Sequence, residues 1–132
     1  MGATVHKSKL AGFIIDCQTD DLDAAANFWG AALGMEVRPL PATDGEGEIY
    51  KKLEDAQHDL QIEVQIVSHP SRVHLDIEAD DIEAEVLRLE RLGARRVQLI
   101  RSWWVMEAPT GQRFCVIAAA SRDFAARAAT WP

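Results

Sequence analysis

Only two cysteines occur in the 132 residues, Cys17 and Cys115, too few for a disulfide scaffold, so a reducing cytoplasmic setting is expected. Basic residues are scarce as well: 14 Lys and Arg stand against 21 Asp and Glu, for a formal charge of −7. They are also scattered. Such a surface repels phosphate backbones and anionic lipid, so neither nucleic acid nor membrane is an expected partner. No apolar run approaches the roughly 18 residues of a membrane-spanning helix. The opening MGATVHKSKL lacks the apolar centre and cleavage site of a signal peptide. No low-complexity stretch or long linker divides the chain. What is present is 48% apolar and 27% charged residues, the mixture of a single globular α/β domain over 1–132.

The chain resembles itself. Ile14-Ile15-Asp16-Cys17-Gln18-Thr19-Asp20-Asp21-Leu22 aligns with His74-Leu75-Asp76-Ile77-Glu78-Ala79-Asp80-Asp81-Ile82 at an offset of 60. Both copies run on to Leu-Gly, at Leu33-Gly34 and Leu92-Gly93. Each reads as a strand, an acidic turn, a helix and a glycine stop. Asp20 or Asp21 can cap the first helix, where a carboxylate satisfies unpaired N–H groups and complements the helix dipole. Leu22, Ala25, Ala26, Trp29, Ala32 and Leu33 then follow helical spacing. In the second copy Ile82, Val86, Leu89 and Leu92 form the apolar stripe, and Glu83, Glu85, Arg88, Glu90 and Arg91 are expected to stay in water. Gly34 and Gly93 suit the left-handed position that follows a helix.

Strand-like runs follow each helix: Met35–Leu40, Glu48–Leu53 and Leu60–Val67, then Arg95–Ile100, Trp103–Glu107 and Arg113–Ile117. Pro39, Pro41, Gly45 and Gly47 mark a loop in the first half, and Ala-Pro-Thr-Gly at 108–111 marks the last turn. The expected fold is α+β, with a βαβββ module over 10–68, a second over 72–119, and a helical tail over 120–132. Within the tail, Ser121–Ala129 reads as a short helix capped by Ser121.

Strand alternation sorts side chains onto two faces. Leu60, Ile62, Val64 and Ile66 must meet the helices, which leaves Gln61, Glu63 and Gln65 opposite. Phe114 and Val116 likewise leave Arg113, Cys115 and Ile117 opposite. Val73, Leu75 and Ile77 are expected to turn inward, so His74 and Asp76 share the other face. By the repeat, Ile14 and Asp16 hold the matching places.

The paired modules, the strand-to-Asp-Asp-to-helix-to-Leu-Gly pattern and the closing Pro-Thr-Gly-Gln-Arg-Phe-Cys-Val run resemble the vicinal oxygen chelate superfamily, which includes glyoxalases, extradiol dioxygenases and bleomycin-resistance proteins. The resemblance spans about residues 10–119 and is closest to small glyoxalase-like members. It implies a glyoxalase/bleomycin-resistance fold, in which a curled mixed sheet surrounds a ligand cleft, and it implies a homodimer. It also implies four metal-ligand positions, which map onto Ile14, Gln61, His74 and Cys115. Of these only His74 is a clear match. Ile14 cannot ligate, a neutral amide at Gln61 is a weak ligand, and Cys115 stands in place of a carboxylate.

Two functions of different class remain open at this point. One is a protein that binds a small molecule without transforming it, through an acidic, aromatic-lined cleft and a depleted metal site. Trp103, Trp104 and Met106 would form its wall and attract a cationic or aromatic ligand, with Gln65 and Arg113 among the lining residues. The other is a lyase or isomerase acting on vicinal oxygens, with zinc, nickel, iron or manganese held by His74, Gln61 and Cys115. Glu63 would be its base, and a metal-free variant between the two would use Glu63, Asp16 or Asp76 for acid–base chemistry. Each residue also has a plainer reading. His74 can fill the cleft, Cys115 and Cys17 can be small core residues, Arg113 can pair with Glu107, and Asp16 and Asp76 can brace the turns after their strands.

Overall fold

The computed structural model describes residues 5–40, 49–55 and 59–132; Pro41, Gly45, Gly47 and Glu48 of the sequence reading lie outside them. The elements run β1 (His6–Gln18), α1 (Leu22–Leu33), β2 (Glu36–Pro39), β3 (Tyr50–Glu54), β4 (Gln61–Val67), β5 (Arg72–Ala79), α2 (Ile82–Arg91), β6 (Arg95–Ile100), β7 (Trp103–Glu107), β8 (Arg113–Ala118), α3 (Phe124–Arg127) and β9 (Ala129–Trp131). The chain divides into two compact units, one of Gly12–His74 and one of Leu75–Pro132 with the residues up to Ala11. The division falls within β1 and again within β5. No helix among the described residues is long and apolar enough to cross a membrane.

In the Gly12–His74 unit the strand order is β2-β3-β4-β1, with β1 parallel to β4 and the other pairs antiparallel. The Asp21 carboxylate accepts from the Ala24 N–H and starts α1, and Gly34, at φ 70°, ends it. Leu22 and Ala26 of α1 then pack on Ile15, Leu53, Ile62 and Val64, with Leu60 and Ile66 beside them. The alternation expected of β4 therefore holds. Gly12 is required by a close approach: a Cβ there would lie 1.8 Å from the Gln61 carbonyl oxygen.

The second unit repeats the plan in the order β5-β8-β7-β6, with β5 parallel to β8. Asp81 caps α2 through the Ala84 N–H, as Asp21 caps α1. Val86 and Leu89 pack against Ala79, Met106 and Val116. Glu85 does not stay in water. It is fully buried and accepts from His6 Nε2 at 2.8 Å and from two Arg88 nitrogens at 2.9 Å each. Its pKa lies below the ordinary value: burial pushes it up, but the bonds from Arg88, His6 and Ser8 together outweigh that.

Two further expectations change. Val73 and Leu75 are exposed, and only Ile77 and Ala79 of β5 join the core. The ten residues of α2 span roughly 15 Å and cover only the later part of the strand. Leu75 instead borders an open groove of about 530 Å³ with Leu10 and Trp131. The tail helix is short, and Ser121 is not its cap. Ser121 turns to the buried Glu78, whose carboxylate takes the Ala120 N–H, the Ser121 N–H, the Ser121 hydroxyl and Lys9 Nζ. A buried carboxylate needs that many donors, and the tail supplies most of them. After α3, β9 pairs antiparallel with the start of β1, and Trp131 Nε1 donates to Ser8 Oγ at 2.9 Å.

Candidate functional site

The β1–β4 ladder sets the first group of polar side chains. Its register pairs Gly12 with Gln61, Ile14 with Glu63, and Asp16 with Gln65. Neighbours across a parallel ladder share a face, so Gln61, Glu63 and Gln65, all half-buried, line one side with Ile14 and Asp16. The residue beside Ile14 is thus Glu63. Gln61, the position suggested by the resemblance, stands one pair earlier, against Gly12.

Asp16 is 2% exposed, and its Oδ2 accepts from His74 Nδ1 at 2.7 Å, with Arg72 Nε at 3.6 Å. Its Oδ1 is buried and makes no hydrogen bond among the described residues. The charge is directed at His74 and Arg72, not at the turn after β1, which Thr19 and Asp21 organise. A carboxylate that is ionised can only accept, and an Asp16 in that form would need the proton of this bond on Nδ1.

His74 and Asp76 lie two residues apart on β5 and so share one face of that strand. Asp76 is paired across the β5–β8 ladder with the buried Cys115. His74, Asp76 and Cys115 each bring one ligand atom within 4.8 Å of the others. Imidazole nitrogen, carboxylate oxygen and thiolate sulfur form a donor set that suits zinc, and three protein ligands leave a position for substrate.

The aromatic wall is reduced to one residue. Trp104 pairs with Val116 and Met106 with Phe114, which places both on the α2 side. Met106 is fully buried there, and Trp104 packs against that core under the Arg96 guanidinium, 5.0 Å from the ring centroid. Adjacent strand residues cannot share a wall, so Trp103 alone remains opposite. Arg113 takes its plainer role: its Nε lies 3.1 Å from Glu107, which also holds Arg95 at 3.0 Å. Hydrogen bonds from Arg95 and Arg113 hold the Glu107 carboxyl below its ordinary range. Cys17 packs against the α1 core, and its thiol pKa is raised chiefly by burial.

Sequence reasoning had Asp16 and His74 on one face but missed the bond between them. It also had Asp76 as an acid or base and not as a ligand. The alternation His74, Asp76, Glu78 was visible. Which of these three meets Cys115 depends on the ladder register.

A family model described as a glyoxalase-like domain matches residues 12–117. No curated protein matches the chain. Among solved structures, a hypothetical protein from Bacillus halodurans is similar at TM-score 0.62 and 12% identity, over 87% of this chain and 96% of that one. Methylmalonyl-CoA epimerase from Mycobacterium tuberculosis is similar at TM-score 0.59 and 19% identity, over 86% and 89%. The Streptomyces coelicolor methylmalonyl-CoA epimerase bound to 2-nitronate-propionyl-CoA follows at 0.53 and 16%, over 85% and 96%. At these identities the likeness bears on the fold, which is the glyoxalase/bleomycin-resistance fold expected from the sequence.

Proposed function

The chain belongs to the glyoxalase-like domain family of the vicinal oxygen chelate superfamily, and on that premise we propose that it is a divalent-metal-dependent lyase or isomerase acting on a small molecule with neighbouring oxygens. The observation that carries this reading is the convergence of His74, Asp76 and Cys115. Asp76 supplies a donor that the four positions taken from the resemblance lacked. The bound ion would polarise substrate oxygens as a Lewis acid. His74, Asp76 and Cys115 would hold it, with zinc favoured by the thiolate. Glu63, half-buried beside Ile14, is the carboxylate we assign as proton acceptor. Gln61 and Gln65, on the same side of β4, would offer hydrogen bonds to substrate, and Trp103 an apolar contact. Acyl-CoA thioesters belong in the substrate screen because a structural neighbour was solved with such a ligand. We further assign the domain to the cytoplasm and to a homodimer, the state the superfamily resemblance implies.

Metal analysis of untagged protein tests this. The wild-type chain should carry about one zinc or related ion, and His74→Ala, Asp76→Asn and Cys115→Ala should each lose it while Gln61→Ala keeps it. A wild-type protein that takes up no divalent ion, even when incubated with excess zinc, overturns the metal reading. Ile14, buried and unable to ligate, favours one second reading: a protein that binds a small ligand and releases it unchanged. Saturable ligand binding without metal and without turnover would establish it.

A further inference from the structure

We infer that Asp16 is a positioning residue for His74: it fixes the imidazole with its proton on Nδ1 and presents Nε2 as the ligand nitrogen. The inference rests on the reading of His74 as a metal ligand and adds a residue outside the donor set. Asp16 reaches His74 across 58 residues of sequence at 2.7 Å, from a side chain 2% exposed. Burying a carboxylate is costly unless its charge is matched. Here the match is incomplete, because Oδ1 makes no hydrogen bond among the described residues and Arg72 Nε stands at 3.6 Å. A carboxylate kept only for stability would collect backbone donors, as Glu78 does from Ala120 and Ser121. Asp16 instead commits Oδ2 to one ring nitrogen. Two constraints follow for His74. The ring plane is held along the Oδ2–Nδ1 direction, and the tautomer is set, since the acceptor can only be met by an N–H on Nδ1. Ligating histidines are oriented in this way by carboxylates behind them, which also raises the basicity of the ligand nitrogen.

The test reads the imidazole directly. Full-length ¹⁵N-labelled protein is stripped of metal with EDTA and held at about pH 8, well above the ordinary imidazole pKa. Long-range ¹H–¹⁵N correlation spectra then report which nitrogen of His74 carries the proton, with the His74→Ala spectrum giving the assignment. The expected result is a proton on Nδ1 in the wild type. A proton on Nε2 overturns the inference, and this reading needs no variant at Asp16. In parallel, zinc affinity is measured by competition with a chelator. Asp16→Ala should bind about 10–100-fold more weakly. Asp16→Asn, whose amide oxygen still accepts from Nδ1, should lose less and keep the tautomer. Unchanged zinc affinity in Asp16→Ala also overturns the inference. The two proposals fail separately. A wild type that binds no metal but carries its proton on Nδ1 sinks the metal reading and leaves the placement of the ring by Asp16. Metal binding with the proton on Nε2 sinks the role of Asp16 alone.

Discussion

His6, the first residue of β1, donates from Nε2 to the fully buried Glu85 of α2 at 2.8 Å. The bond ties the beginning of the chain to a helix 79 residues later, and Arg88 closes on the same carboxylate from one helical turn away. Trp131 of the tail then stacks on Arg88, whose guanidinium carbon lies 3.8 Å from the ring centroid. Glu85→Ala would leave the half-buried Arg88 guanidinium without its counter-charge and the buried His6 Nε2 without an acceptor. We expect a loss on the order of 3 kcal/mol, read from urea unfolding. Glu85→Gln should cost less, because its amide oxygen still accepts. An alanine variant as stable as the wild type would show that the network contributes nothing net.

Glu78 and Glu85 make stability depend on acid. For Glu78 burial is the largest influence and acts upward, but the bonds from Ser121, Ala120 and Lys9 together bring the pKa below 4.5. Glu85 is lowered in the same sense. A carboxylate depressed on folding contributes stability that is fully present above its unfolded value. That contribution is lost as pH falls through the folded value. Urea midpoints should therefore hold from neutral pH to about 5 and fall below 4.5. Glu78→Gln should flatten that decline; an unaltered acid limb would exclude Glu78 as its source.

Gly12→Ala should be among the most damaging single-atom additions to the chain. The new methyl would meet the Gln61 carbonyl at 1.8 Å, and neither ladder strand can yield without breaking the β1–β4 pairing. A Tm loss on the order of 10 °C or more is expected by calorimetry. A shift of only a degree or two would mean that the two strands do not approach so closely.

Met106 and Trp103 separate core from candidate site. Met106→Ala should cost about 2–5 kcal/mol, as truncation in a packed core does, and leave metal content unchanged. Trp103→Ala should cost about 1 kcal/mol and alter ligand binding instead. Chemical denaturation and a binding assay on the two variants check this, and the reverse pattern would return Met106 to the wall of the cleft.

Much of the fold could be read along the chain. The offset of 60 brought Asp21 and Asp81 to matching positions, and both cap helices by bonds to an N–H three residues on. The β4 alternation was legible for the same reason: capping and pleating are local, set by spacings of two to four residues. The candidate site was legible only in part. Strand alternation put His74 and Cys115 on the face away from the helices, and the family resemblance named them as ligands. The resemblance also chose Gln61, which the structure sets one ladder pair from Ile14. Trp104 and Met106 were put on the cleft wall although they face the α2 core.

The acidic composition, the duplicated βαβββ order and the capping aspartates were determined by the sequence itself, because each follows from residue type and short-range spacing. Tertiary structure alone decided that Asp16 meets His74, that Asp76 meets Cys115, and that Glu85 and Glu78 are buried instead of wet. Those contacts depend on strand register and on what packs over each strand. A register shift of a single residue would turn a shifted strand's side chains to the opposite face, whereas Glu85 is buried by the packing of α2.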